Sequence, residues 1–344
     1  MKMTFKQVLG AQMVAAGVIA GAFATPAVAQ ENWDAVIAAA KKEGSVVVYH
    51  AQLGAAHWKD VVRAFESKYG IKVQEYDARA SELTERIRVE QTSKRYVADV
   101  EFHGKASIAQ QQIETDFVAE IGNIPNAKNL RDDFPADKYS VPAWTQVVCM
   151  LSNTNLVKPE DEPKNWTDLL DPKWKGKLLS DDMRAVGSGQ TMFGVTYKKY
   201  GADFHKKLAA QDLVFNRDLQ VNSRRVARGE NPIFIQQIIA FASELKGLPV
   251  KVLLPSDGCP FTAIRGAILR GAPHPNAARV FINHFLEMDS QVRYANAWMG
   301  TVIKGVADKL TDPDAKRYAD VKLMGEISYE ERDKSLKLAN EMYK

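Results

Sequence analysis

Between Lys175 and Phe193 the chain reads Lys-Gly-Lys-Leu-Leu-Ser-Asp-Asp-Met-Arg-Ala-Val-Gly-Ser-Gly-Gln-Thr-Met-Phe. The pattern predicts a short strand over 177–180, a Gly-Ser-Gly turn, and a helix whose apolar face carries Met192, Val195 and Tyr197. A helix start leaves backbone N–H groups unpaired, and its dipole favours negative charge at that spot. Gly187, Ser188, Gly189 and Gln190 are therefore candidate anion-binding residues. Arg184 adds a planar fork of donors beside them. A tight turn with a plain helix cap is the ordinary alternative for the same residues.

A second set of polar residues stands in His50-Ala51-Gln52, Asp77-Ala78-Arg79 and His103-Gly104-Lys105. Each triplet follows a segment that reads as a strand. Apolar spacing predicts helices over 32–42, 57–69 and 81–95, alternating with strands over 45–50, 71–76 and 99–103. Strands alternating with helices of this length form right-handed βαβ units and parallel sheets covered on both faces. Ligands sit beyond the carboxyl ends of such strands. His50, Gln52, Arg79 and His103 thus become candidates by position, although any one of them alone is more often a satisfied or surface residue.

The extended segment from Val141 to Leu156 is long enough to leave one lobe and enter another. After it the alternation restarts, with strands at 177–180, 212–216, 232–236 and 249–254 and helices from 188, over 221–229 and over 238–246. An apolar stretch over 261–269 can carry the chain back, and residues from 275 onward read as helical. The division expected is a removable leader over 1–29, a first lobe over 30–147 and a second over 148–258. Residues 259–344 supply the return strand and the C-terminal helices.

The leader reading rests on Lys2 and Lys6, the apolar run from Val8 to Ala24 and the small-residue pattern Ala27-Val28-Ala29, with cleavage before Gln30. Without the two lysines the formal charge falls from +4 to about +2, too little to argue for nucleic acid. The expected location is periplasmic. Cys149 and Cys259, 110 positions apart, do not form a Cys-x-x-Cys motif. In an oxidising compartment they are either a disulfide or two buried thiols, and the sequence leaves both open.

Read together, Asn165-Trp-Thr-Asp-Leu-Leu-Asp-Pro-Lys-Trp-Lys-Gly-Lys177, the turn at Gly187, Arg228-Gly-Glu-Asn-Pro-Ile233, Pro255-Ser-Asp-Gly258 and Gly271-Ala-Pro-His-Pro-Asn-Ala-Ala-Arg-Val-Phe-Ile282 resemble the extracytoplasmic solute-binding proteins of ABC importers. The resemblance is to the group that takes ferric iron, polyamines and phosphosugars. It implies an α/β fold of the type II periplasmic-binding-protein kind, with two lobes, each a doubly wound sheet, joined by crossing hinge strands. It also implies an inter-lobe cleft that closes on the solute, and a membrane permease with its ATPase as partners. A monomer is expected, with no cofactor, no metal and no catalytic residue.

Iron-binding members carry adjacent tyrosines shortly after the Gly-Glu-x-Pro segment, where this chain has Gln236-Gln-Ile-Ile239. Phenolates suit a hard ferric ion and amides do not, so Gln236 is counted with the residues for an organic ligand. A polyamine would instead recruit Asp77, Asp99, Glu101, Asp181, Asp182 and Trp144. The positive strand ends favour an anionic solute bearing a carboxylate, phosphate or phosphonate, clamped by Arg79 or Arg184. A periplasmic enzyme on the same fold ranks lower. Val186 occupies the position two before Ser188 where a nucleophile elbow needs glycine, and no His-Glu-x-x-His motif occurs.

Overall fold

The computed structural model describes residues 31–52 and 55–344, so the expected leader lies outside the described residues. Helix α1 (Trp33–Glu43), strand β1 (Ser45–His50), α2 (Ala56–Tyr69), β2 (Lys72–Asp77), α3 (Ala80–Thr92), β3 (Val100–Gly104) and α4 (Lys105–Gln110) follow in order. On α2 the buried residues Trp58, Val61, Phe65 and Tyr69 recur every three or four positions, the spacing that puts them on one face. Gly70 ends that helix at φ 70°, and its N–H bonds the carbonyl of Glu66. Strand β1 pairs in parallel with β2 on one side and β3 on the other.

The sequence predicts parallel sheets throughout, and the join between the lobes departs from that. Strand β4 (Ser140–Asn153) is fourteen residues long and antiparallel to all its neighbours. Its first half pairs with β9 (Cys259–Ile268), which in turn pairs antiparallel with β3. Its second half pairs with β7 (Ile233–Ile238) and β8 (Val250–Leu253). A strand that leaves one lobe and a strand that comes back must run in opposite directions when they lie side by side. Beyond β7 the parallel pattern resumes through β5 (Leu178–Ser180) and β6 (Val214–Phe215).

Helices α5 (Ser188–Ala209), α6 (Leu219–Ala227) and α7 (Ile239–Ala242) belong to the second lobe. The helix expected over 238–246 is shorter, because β7 runs on to Ile238 and a 3₁₀ turn takes over from Ser243. Helix α5 is broken at Gly201, which adopts φ 73°. After β9 come α8 (Pro275–Phe285), α9 (Met288–Asn296), α10 (Pro313–Ala319), the short strand β10 (Leu323–Gly325) and α11 (Tyr329–Met342).

In the first lobe Trp58, Phe102, Trp144, Phe281 and Phe285 pack ring to ring at centroid separations between 4.8 and 6.3 Å. Trp144 is on β4, so this aromatic core reaches directly into the crossing strand. Cys149 and Cys259 are joined as a disulfide, with their Cα atoms 5.4 Å apart. They continue the β4–β9 register two residues past Val147 and Phe261 and tie the two crossing strands together. Helix α11 touches both lobes. Gln190 on α5 donates to the Arg332 carbonyl at 3.1 Å, while Arg332 and Tyr329 donate to Gln110 and Glu114 at the other side.

Candidate functional site

A cavity of about 300 Å³ opens between the carboxyl ends of the first-lobe strands and the start of α5. Its floor is the crossing pair itself. Trp144, Gln146 and Val148 on β4, and Thr262 and Ile264 on β9, are alternate residues and so share one face of the sheet. One wall is Gln52, Arg79, His103 and Lys105, and the facing wall is the 181–191 segment with Arg217 and Phe241.

Six of the candidate residues come together here: Gln52, Arg79, His103, Gly187, Ser188 and Gln190. His50 does not. It is buried, tilted against Trp58 with ring centroids 3.8 Å apart, and held between the carboxylates of Glu75 at 3.3 Å and Asp77 at 3.4 Å. Its imidazole locks β1 to β2 and never reaches the cavity. Gln236 is likewise structural, accepting from the Asp181 N–H at 2.9 Å and donating to Ser180 at 3.0 Å, with no exposed surface.

The helix N-terminus also differs from expectation. Asp181 reaches back so that Oδ2 accepts from the Ser188 hydroxyl and from the Gly189 amide, each at 2.8 Å, and Oδ1 accepts from the Asp182 amide. The anion that the dipole and amide of α5 attract is therefore the protein's own carboxylate. Burial pushes its pKa up, against the hydrogen bonds from Gly189, Ser188 and Asp182 and the charge of Arg217. Gly189 is a glycine for a steric reason: a Cβ there would stand 2.6 Å from the Asp182 carbonyl oxygen. Glycine at this position serves close packing, and it does not line the cavity.

Arg184 is turned away as well. Its Nε donates to Asp182 at 2.8 Å, its Nη1 to the Tyr343 carbonyl at 3.1 Å, and its guanidinium lies over the Phe215 ring. That set of partners docks the C-terminus on the second lobe and holds the guanidinium outside the cavity lining. Arg217, two residues after β6, lines the cavity in its place. The strand-end rule that found Arg79 would have found Arg217 had it been applied to the second lobe.

Charge at the cavity is unevenly committed. Asp181 is bonded as described, Asp182 pairs with Arg184, Asp218 caps α6 through the Val221 amide at 3.0 Å, and Glu326 accepts from the Ala263 amide at 3.0 Å. The guanidinium groups of Arg79 and Arg217 have no hydrogen-bond or ion-pair partner among the described residues. His103 adds no charge, because burial brings its pKa down to about 4. Of the acids a polyamine could recruit, Asp99 is wholly buried and bonded to Val47 and His274, and Glu101 is enclosed beside Gln111. Among the described residues no three His, Cys, Asp or Glu side chains are grouped to hold a metal ion, and no helix is long and apolar enough to cross a membrane.

A two-lobed sheet with a cleft over its crossing strands is what comparison with known proteins also finds. Residues 60–322 match the model of the bacterial extracellular solute-binding proteins. The chain belongs to that family. Its members are the solute-binding components of ABC importers and act with a permease and an ATPase. Solved structures with the same type II fold include iron-bound HitA from Pseudomonas aeruginosa, at 19% identity and a TM-score of 0.71 over 87% of this chain and 99% of that one. AfuA from Actinobacillus pleuropneumoniae, with fructose-6-phosphate bound, gives 19% and 0.68 over 86% and 97%. The spermidine/putrescine protein PotD from Streptococcus pneumoniae gives 16% and 0.69 over 87% and 99%. At such identities the likeness carries the fold, and three different kinds of solute occur on it.

Proposed function

We propose that this solute-binding protein captures a small organic anion, bearing a carboxylate, phosphate or phosphonate, between Arg79 of the first lobe and Arg217 of the second. The observation that carries this reading is the asymmetry of commitment at the cavity. Every carboxylate on its walls is bonded within the protein, whereas one guanidinium on each side is not. An anion drawn to both would favour the closed arrangement, because only there do the two charges act on it together. Of the neighbours' printed ligands, the sugar phosphate of AfuA has the matching charge.

The iron reading is weaker, since Gln236 and Gln237 are buried amides already bonded to Ser180, Asp181 and Ser223. The polyamine reading is weaker because each carboxylate at the cavity already accepts a hydrogen bond from within the protein. We further propose that residues 1–29 direct export and are removed, that the mature chain works as a monomer in the periplasm, and that it binds its solute without turning it over. A thermal-shift panel of organic acids, phosphorylated compounds, polyamines and ferric ion tests the reading. Stabilisation by an anion alone is expected, and stabilisation by a polyamine or iron in its stead would overturn it.

A further inference from the structure

The crossing strands leave one polar side chain on the cavity floor uncommitted. Gln146 is the single residue of β4's fourteen that is not buried, and it lines the cavity. Its carboxamide is open to the cavity and has no hydrogen-bond partner among the described residues. Thr262 of β9 stands directly opposite Gln146 in the β4–β9 register. Opposite residues of an antiparallel pair point to the same face, with Cβ atoms about 5 Å apart. Thr262 is likewise partly exposed and lines the cavity. The Thr191 hydroxyl has one proton and gives it to the Gly187 carbonyl at 3.1 Å, so in the 2.9 Å contact between Thr191 and Thr262 it is Thr262 that donates. What Thr262 keeps for the cavity is a lone pair.

The arginine walls supply donors, whereas this part of the floor supplies two acceptors, Gln146 Oε1 and Thr262 Oγ1. A carboxylate or phosphate oxygen satisfies neither, and once a solute displaces solvent from the floor each needs a proton from the solute. We propose that Gln146 is a specificity-determining residue, which selects an anion carrying at least one uncharged hydroxyl on its body over the hydrocarbon counterpart. This proposal rests on the anion reading above and adds what the rest of the solute must carry. A hydroxyl between the two side chains donates to the Thr262 oxygen while accepting from Gln146 Nε2, and a second one meets Gln146 Oε1. A protonated amine also donates, but Arg79 and Arg217 oppose its charge, and each carboxylate at the cavity already accepts from within the protein. Val148 and Ile264, two residues along each strand from the pair, give the carbon skeleton apolar contact.

Calorimetric titration of the mature protein with two matched pairs tests this: butyrate against 3-hydroxybutyrate, and propyl phosphate against glycerol 3-phosphate, with glycerol as the uncharged probe. In whichever anionic class binds, the hydroxylated member is expected to bind about tenfold tighter, since a site built to pair a hydroxyl rejects the analogue that leaves its groups unpaired. Gln146→Leu is expected to bring that ratio to about one by weakening the hydroxylated member. Its unliganded melting temperature should not fall, because the carboxamide bonds nothing else among the described residues. Equal affinity within both pairs overturns the proposal and leaves the anion reading standing, and that comparison on the unaltered chain needs no variant to fold. Binding of none of the four anions, or a tenfold preference that survives Gln146→Leu, overturns it as well. Glycerol binding as tightly as glycerol 3-phosphate would instead overturn the anion reading and leave the floor contact standing.

Discussion

Asp181 Oδ2 lies 2.8 Å from the Gly189 amide nitrogen, so the N-terminus of α5 is neutralised from within the chain. The strand, turn and helix start that suggest an external anion site are all present. The residue seven positions before the helix has already filled it. Asp181→Ala is expected to cost roughly 1–3 kcal/mol of stability, the usual penalty for stranding buried donors. Urea denaturation checks this, and an unchanged midpoint would mean that the contact does not hold the helix start.

Arg79→Ala and Arg217→Ala should each weaken binding of an anionic solute by roughly 1.5–3 kcal/mol, as expected for loss of a charged hydrogen bond. Arg184→Ala should leave affinity within a factor of about two and lower the melting temperature, because its donors go to Asp182 and Tyr343. Calorimetry on the three variants distinguishes the pairs. Equal losses at Arg184 and Arg217 would contradict the placement of either.

Much of this site could be read from the sequence by one geometric rule and was missed where a second was needed. Arg79 follows β2 and His103 stands near the end of β3, strands whose carboxyl ends face a ligand, and both line the cavity. Gln146 and Trp144 line it because β4 alternates, a pattern visible in the sequence only once that strand is known to form the floor. Arg184 and Gly189 have the residue types for anion binding, but their partners, Tyr343 and the Asp182 backbone, lie far along the chain or fold back in space. Arg332, on α11, reaches the cavity from a helix that no local pattern ties to it. Strand and helix periodicity carried most of the fold, whereas the antiparallel run of β4 and β9 depends on the lobe crossing.

Glu101 is enclosed, and burial pushes its carboxyl up to about 7 against the hydrogen bond from Gln111. Between the ordinary carboxylate range and pH 7 the folded state therefore binds more protons here than the unfolded state. This group's contribution makes stability fall as pH rises through that window, by roughly 3 kcal/mol in all, and level off above it. Glu101→Gln should remove that slope and leave the protein more stable at pH 8 than the unaltered chain. Denaturation at pH 5 and pH 8 checks it, with parallel pH profiles for the two proteins as the contrary outcome.

The Cys149–Cys259 bond closes a loop of 110 residues across the crossing strands. Reduction, or Cys149→Ser with Cys259→Ser, should cost roughly 4–5 kcal/mol on the chain-entropy scale. A melting temperature that does not respond to reductant in the unliganded protein would contradict it.

Native mass spectrometry of the mature protein as purified, beside an Arg79→Ala/Arg217→Ala double variant, bears most directly on the two-sided guanidinium site. The unaltered protein should retain a small organic molecule with at least one acidic group, and the double variant should come out empty. A retained metal, polyamine or uncharged compound, or the same anion kept equally by both proteins, would contradict it.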